Sequence, residues 1–572
     1  MVYQMMADGV LPHFDSLAKQ GIRAEYAQSV DPALTAPAQN AISTGSYPAH
    51  TGIVSNSFHH PTDSIYWYRR GYDEALDQAE PIWVTASKQG LKTASVFFNG
   101  GTPLIPNQTA DYTIGYGIQD SYSNQFKLTL ETVTETWHGE IPASYSPALE
   151  GSYTIREVSR VYFYLIDPSD DQVTNYSQLI INTERRADQD TPILQVGEWG
   201  SLILMPKLTA GADFLLQKID QDTSPVKITL YHSGVFHNTA SPRELQESLN
   251  QKFGFFPAGS DPYSVEDGLL SAEDNLHLIK RASQWTAEVT AWVYQTYQPD
   301  LLYAWQDGFD SAGHAYMMQD ERQFNYSPEL AQVYQSHFRE AAQAADEALG
   351  ILLEAIELEN ATVMLVADHG MAPIHSVVYV NTILEQAGLL TLDRKNYVIA
   401  KKTKAFAVAS GGSAHIYINL ADHEKDGFVS QEAYPEIQQT IINLLQDLVD
   451  PVSGEKVFQR VLAQDELSNV HLDHLNAGDV FAQAYPGYHL DGWRGNNFVF
   501  EPANFYGQHG YASSLPEMHA IFIAAGAGVT NLGGMIPPVQ IVDYAPSIAK
   551  LLGFTPASSV DGSPIPGFRY PP

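Results

Sequence analysis

Two apolar runs in this chain close on an Asp/His cluster flanked by glycine, and a third such cluster lies far downstream. The run Thr362-Val363-Met364-Leu365-Val366-Ala367 is rich in β-branched residues and predicts a buried parallel strand, and it breaks off at Asp368-His369-Gly370-Met371. The run Leu301-Leu302-Tyr303-Ala304 predicts another strand entering a polar loop, with Asp310 and His314 four residues apart and a glycine that permits a tight turn. Far downstream lies Tyr506-Gly507-Gln508-His509-Gly510-Tyr511. In open α/β sheets ligands bind just beyond the carboxyl ends of strands. The pattern therefore predicts one composite site assembled from distant segments.

Helical spacing fills in the rest. Leu11, Phe14, Leu17 and Ala18 form one apolar face closed by Gly21. Pro37, two residues after Thr35, suits the first turn of a helix running to about Gly45, whose free N–H groups and dipole favour an anion. Thr35 then either caps that helix or is presented to the anion. Asn56 sits in a loop, where asparagine is usually a turn former. A helix is expected over 83–89 and a strand over 93–98. Ser327-Pro328 opens a long helix with Val333, Ala341, Ala345, Leu349, Leu352 and Ile356 on one face, leading into the Thr362 strand. This is a βαβ unit whose right-handed crossover leaves Asp310 and Asp368 at the same edge of a parallel sheet.

Between 111 and 265 the texture changes to strand-like runs, among them Phe126–Leu130, Val161–Leu165 and Val226–Tyr231, divided by Gly, Pro, Asn and Asp clusters. This is a β-rich insertion. A second insertion at 401–500 lies between the Asp368 and His509 motifs and is a candidate lid; His415 there alternates with apolar residues and reads as structural. The α/β core is thus expected in three parts, 1–110, 266–400 and 501–572.

The 572 residues contain no cysteine, which excludes disulfides, thiolate metal sites and cysteine nucleophiles. Carboxylates and imidazoles without thiolates suit a catalytic zinc or a similar divalent ion. The formal charge of -35 argues against nucleic acid as a partner and repels phosphates at long range, so a phosphate site needs local cations. No apolar segment is long enough to span a bilayer, and Met1–Met6 shows no signal peptide.

Asp310-x-x-Gly313-His314, Ala367-Asp368-His369-Gly370-Met371 and Gly507-x-His509-Gly510-Tyr511, in that order, resemble the alkaline phosphatase superfamily, within it the type I phosphodiesterase/nucleotide pyrophosphatase family. The likeness extends to Thr35 and to Thr44-Gly45-Ser46-Tyr47-Pro48, and covers the start to about 110 and from about 270 onward. It implies a three-layer α/β/α alkaline-phosphatase-like core with a mostly parallel sheet, carrying the β-rich insertion and the smaller lid insertion.

It further implies a two-metal hydrolase of phosphate esters with small-molecule or nucleotide substrates. Asp310, His314 and His509 would hold one zinc-like ion, and Asp368, His369 and the Thr35 oxygen a second. Thr35 would be the nucleophile, passing through a phosphothreonine, with Asn56 donating to a phosphoryl oxygen. Family members carry a strand ending in Asp-Gly before the first helix, and that Asp is a ligand. Here Asp8-Gly9 follows helix-like residues and reads as a turn, so that strand and ligand are expected to be missing. Sulfatases require an arginine that Thr35-Ala36-Pro37-Ala38-Gln39 lacks.

A phosphomonoesterase of the same superfamily is the alternative, with Arg69 and Arg70 either binding the extra charge or forming an exposed pair. A truncated, metal-poor binding protein is another. The family implies an extracytoplasmic location, and the oligomeric state is left open.

Overall fold

The computed structural model describes residues 1–495, 497–530 and 533–571. Its contacts divide the chain into two compact units, Met1–Thr113 with Thr290–Pro572, and Ile114–Val289.

In the first unit the strand Phe522–Gly526 runs antiparallel to Gly21–Ala24 on one side and to Thr362–Val366 on the other. Gly21–Ala24 also pairs in parallel with Gly534–Ile536, and Leu301–Ala304 pairs in parallel with Thr93–Val96. Side-chain alternation sorts these strands into two faces. Ile523, Ala525, Val363 and Leu365 pack with Phe14, Leu17, Ala342 and Leu349 of the helices Pro12–Gln20 and Pro328–Ala355. Phe522, Ala524, Met364 and Val366 pack with Ala38, Ala41 and Ile42 of Thr35–Thr44 and with Ala545 and Ala549 of Tyr544–Leu552. These are the three layers.

The Thr362–Val366 run is a strand as expected, but its bonded neighbour is antiparallel and all five residues are half-buried. Among the described residues it is an edge strand, and it shares no hydrogen-bonded ladder with Leu301–Ala304. Its apolarity makes it a strand, whereas its neighbour comes from near the end of the chain, beyond the reach of a local pattern. The long helix begins where expected: Ser327 Oγ accepts from Leu330 N (3.1 Å) and Pro328 occupies the first turn. Asp8 ends the short helix Val2–Ala7, receives a hydrogen bond from the Gln4 amide (2.8 Å) and is followed by Gly9 at φ +74°, so it is a turn residue.

Still within the first unit, Ala405–Ser410, Ser413–Ile418, Val480–Ala484 and Phe458–Ala463 form an antiparallel sheet, backed by the helix Tyr434–Gln446. His415 is fully buried there, bonded to the Val54 carbonyl (3.2 Å) and the Gly478 amide (3.1 Å); burial pushes its pKa down to about 4, and it is a neutral core residue.

The second unit is a pair of antiparallel sheets. Val161, Phe163, Leu165, Leu179 and Ile181 from one meet Phe126, Phe214, Leu216, Ile228 and Leu230 from the other in a shared core. No helix among the described residues is long and apolar enough to cross a membrane.

Candidate active site

The helix Thr35–Thr44 starts at Thr35, is preceded by Leu34 and is closed by Gly45 at φ +71°. Thr35 makes no capping hydrogen bond, which removes the N-cap reading of this residue. The cap is supplied by Asn56, whose Oδ1 accepts from Ala36 N at 2.8 Å. Pro37 has no N–H, and Ala38 N bonds to Leu34 O (3.0 Å). The sequence predicts an open array of donors at this terminus; Ala36 N and Ala38 N are instead taken up, by Asn56 Oδ1 and the Leu34 carbonyl.

Asp310 and His314 lie on the helix Gly308–Tyr316, not in a loop, so their four-residue spacing puts them on one face. His314 Nε2 is 3.4 Å from Asp310 Oδ2, and His509 Nε2 is 3.5 Å from Asp310 Oδ1. The three ligand atoms all lie within 4.8 Å of one another. His369 Nε2 sits 3.6 Å from Asp368 Oδ2 and 3.2 Å from Thr35 Oγ. The His369 and His509 rings stack at 3.7 Å, joining the two groups. All six residues singled out as metal ligands in the sequence, Thr35 included, thus come together.

The imidazoles share one arrangement. Nδ1 of His314 faces the Gly507 carbonyl (2.8 Å), Nδ1 of His509 that of Ala33 (3.2 Å), and Nδ1 of His369 that of Gly370 (3.0 Å). A carbonyl only accepts, so each Nδ1 carries a proton and, in the neutral ring, each Nε2 presents its lone pair to the site. It follows that the Thr35 hydroxyl donates to His369 Nε2. The turn at Gly370 requires glycine, because a Cβ there would lie 2.0 Å from the Glu517 carbonyl oxygen.

Electrostatics separate the histidines, favouring the neutral ring at His509 and the charged one at His314. Burial alone would raise the Asp310 carboxyl, but His314, His509 and His369 hold it well below the usual carboxylate range. Burial, with His369 adding to it, pushes His509 well down, so it stays neutral. Burial works against charge at His314, yet Asp310 outweighs it and raises that pKa.

Other residues here escaped the sequence reading. Gln39 Nε2 donates to Asp368 Oδ2 (3.3 Å), its Oε1 accepts from Asn99 N (3.1 Å), and Ser29 Oγ donates to the Asp368 carbonyl (2.6 Å). Gln39 stands four residues after Thr35, a helical repeat that signals a shared face. Gln508 receives a hydrogen bond from His509 N (2.9 Å) and gives one to His489 Nδ1 (3.2 Å). Burial raises the pKa of the Tyr72 phenol, Thr35 nearby opposes this, and Asp310 and Asp368 add to the rise. No local pattern marks Tyr72. Arg69 is bound to Asp63 (2.7 Å) and Glu74 (3.3 Å), and the exposed Arg70 pairs with Asp73 (3.6 Å).

The set suits a divalent cation. Asp310 Oδ1 is buried and has no hydrogen-bond partner, and the surrounding donors are carboxylate oxygens and deprotonated imidazole nitrogens.

The family described as Type I phosphodiesterase / nucleotide pyrophosphatase matches residues 1–512. The chain is 30% identical over 161 residues to ectonucleotide pyrophosphatase/phosphodiesterase family member 7 of Mus musculus, covering 27% of this chain and 34% of that protein. It is 35% identical over 135 residues to bis(5'-adenosyl)-triphosphatase enpp4 of Mus musculus, covering 22% and 27%. The chain spans about a third of the length of these curated relatives. Murine ectonucleotide pyrophosphatase/phosphodiesterase 5 superposes with a TM-score of 0.49 at 14% identity, over 97% of this chain and 92% of that one.

Proposed function

Because the chain belongs to the type I phosphodiesterase / nucleotide pyrophosphatase family, we propose that it hydrolyses phosphodiester or pyrophosphate bonds in small-molecule esters or nucleotides, with Thr35 as nucleophile. The observation that carries this reading is the Thr35 hydroxyl, 3.2 Å from His369 Nε2, whose ring stacks on that of His509. Asp310, His314 and His509 would hold one divalent ion of the zinc type, and Asp368, His369 and Thr35 Oγ a second. When bound, such ions act as Lewis acids on phosphoryl oxygens and ease loss of the Thr35 proton.

In the first step Thr35 Oγ bonds to phosphorus as it gives up its proton, and the bond from phosphorus to the departing oxygen breaks with its electron pair, releasing the alcohol or phosphate. In the second, water adds its oxygen to phosphorus, the Oγ–P bond breaks and Thr35 regains a proton. On this reading Asn56 Nδ2 and the Thr35 N–H donate to the non-bridging oxygens. A diester fits better than a monoester, since Arg69 is held by two carboxylates and Arg70 by Asp73 in the open. The names of the relatives and the cysteine-free composition support an extracytoplasmic setting.

The test is elemental analysis paired with hydrolysis of bis-p-nitrophenyl phosphate against p-nitrophenyl phosphate. Bound zinc, preference for the diester and loss of turnover in Thr35→Ala with metal content unchanged are expected. A Thr35→Ala variant that still turns over removes Thr35 from the chemistry, and a metal-free protein that cleaves neither ester removes the enzyme reading.

A further inference from the structure

The two carboxylates of the site are held in different ways. Asp310 is oriented by its fellow ligands, with His314 toward Oδ2 and His509 toward Oδ1, and Oδ1 has no hydrogen-bond partner among the described residues. Asp368 is held from outside the ligand set as well. Ser29 Oγ donates to its backbone carbonyl (2.6 Å), His369 N donates to Oδ1 (3.2 Å) and Gln39 Nε2 donates to Oδ2 (3.3 Å).

Gln39 is buried, and its amide has one orientation that satisfies both ends. The far end meets Asn99 N at 3.1 Å; a backbone N–H only donates, so Oε1 lies there and the amide nitrogen faces the carboxylate. Asn99 stands three residues beyond the strand Thr93–Val96, and its loop is pinned to the Thr35 helix. Asn99 Nδ2 lies 3.5 Å from the Ala36 carbonyl and Asn99 Oδ1 accepts from Gly100 N (3.0 Å). Gly100, at φ +80°, is what lets the loop come so close, because a Cβ there would lie 2.6 Å from Asn40 Oδ1. The Asn99 N–H is therefore a fixed anchor for Gln39.

Gln39 follows Thr35 by four residues, so the two share a face of the helix. From that face Thr35 Oγ reaches His369 Nε2 (3.2 Å) and the Gln39 amide reaches Asp368. Each oxygen of the ionised Asp368 accepts one of these bonds and keeps a lone pair for a cation. We propose, on the reading of Asp368, His369 and Thr35 as the seat of a second divalent ion, that Gln39 is a positioning residue whose amide fixes the Asp368 carboxylate relative to Thr35. It thereby sets the affinity for the second ion. The first ion does not depend on it, since Asp310 takes its orientation from His314 and His509.

The experiment uses the full chain, freed of metal and titrated with zinc against a chromogenic chelator, in the wild type, Gln39→Met and Gln39→Asn. It also measures the melting temperature, and kcat for bis-p-nitrophenyl phosphate at limiting and at saturating zinc. Methionine keeps the length of the side chain without the donor. Asparagine keeps an amide one methylene too short to join Asn99 N to Asp368. In both variants one zinc is expected to bind about 10–100-fold more weakly while the other binds as in the wild type, and the kcat lost at limiting zinc is expected to return at saturation. Wild-type affinity for both ions in both variants overturns the role given to Gln39. Equal weakening of the two ions with a lowered melting temperature also overturns it, since that is what a packing residue gives. A wild-type chain that takes up a single zinc removes the second ion and this role with it. Turnover retained in Thr35→Ala strikes the nucleophile reading alone, because the zinc titrations decide the role of Gln39 separately.

Discussion

His59 and Glu424 form a buried ion pair, with Nε2 2.7 Å from Oε2 and neither side chain more than 3% exposed. His59 Nδ1 also faces an acceptor, the Trp67 carbonyl at 2.8 Å, so both ring nitrogens are engaged. The pair fastens the hairpin 57–70 to the 424–426 segment, where Ser64 Oγ donates to Asp426 (2.8 Å) and Lys425 N to the Pro61 carbonyl (3.0 Å).

Removing one partner strands a charge in the interior. Glu424→Ala is expected to lower stability by about 3–5 kcal/mol in guanidinium denaturation, while the double replacement of His59 and Glu424 by leucine costs much less. Equal losses in the single and double variants would show that packing, not the charge, governs this contact.

Asn56 gives its oxygen to Ala36 N, and on the proposed function its amide nitrogen donates to a phosphoryl oxygen. Asn56→Asp preserves the cap but turns two donors into an anion. Its kcat/KM for bis-p-nitrophenyl phosphate should fall roughly 100-fold or more, with the melting temperature nearly unchanged. An unaltered rate would mean that Asn56 only caps the helix.

Asp310 is shared by His314 and His509, with one oxygen toward each. Asp310→Asn should reduce bound zinc in elemental analysis by about one ion per chain and abolish turnover, whereas Arg69→Gln should leave the zinc content intact. Full zinc in Asp310→Asn would place the ion elsewhere.

Glu150 supplies a pH-dependent term in the β-rich unit. Burial would raise its carboxyl, but hydrogen bonds from Thr134, Arg185 and Trp137 win and hold it at about 2. Its folded pKa lies below the unfolded value, so this stabilisation is complete above about pH 4.5 and is lost as pH falls toward 2. It amounts to about 3 kcal/mol. In Glu150→Gln the acid limb of the melting curve against pH should flatten over that window; an unchanged limb would assign it to other carboxylates.

The legible parts of this protein were those with a short repeat. The strands at 301–304 and 362–366, the Ser327-capped helix and the helix from Thr35 all follow from apolar period, proline and capping residues within a few positions. Asp310 and His314 read from sequence as members of a polar loop, and the helix Gly308–Tyr316 is what puts them on one face. What stayed hidden depends on distant partners. Tyr72 has no motif. The His59–Glu424 pair joins residues with no local relation. The antiparallel neighbour of Thr362–Val366 is decided by a segment near the far end, and the orientation of Asn56 by which backbone amide happens to be free.

The convergence of Thr35 with His509 has a consequence for how the protein comes to life. On a ribosome adding about 5–20 residues per second, Thr35 emerges roughly 20–100 s before His509 does. Through that interval Thr35 waits without the imidazole that completes the cluster. On the function proposed above, a chain interrupted before His509 is therefore expected to be silent.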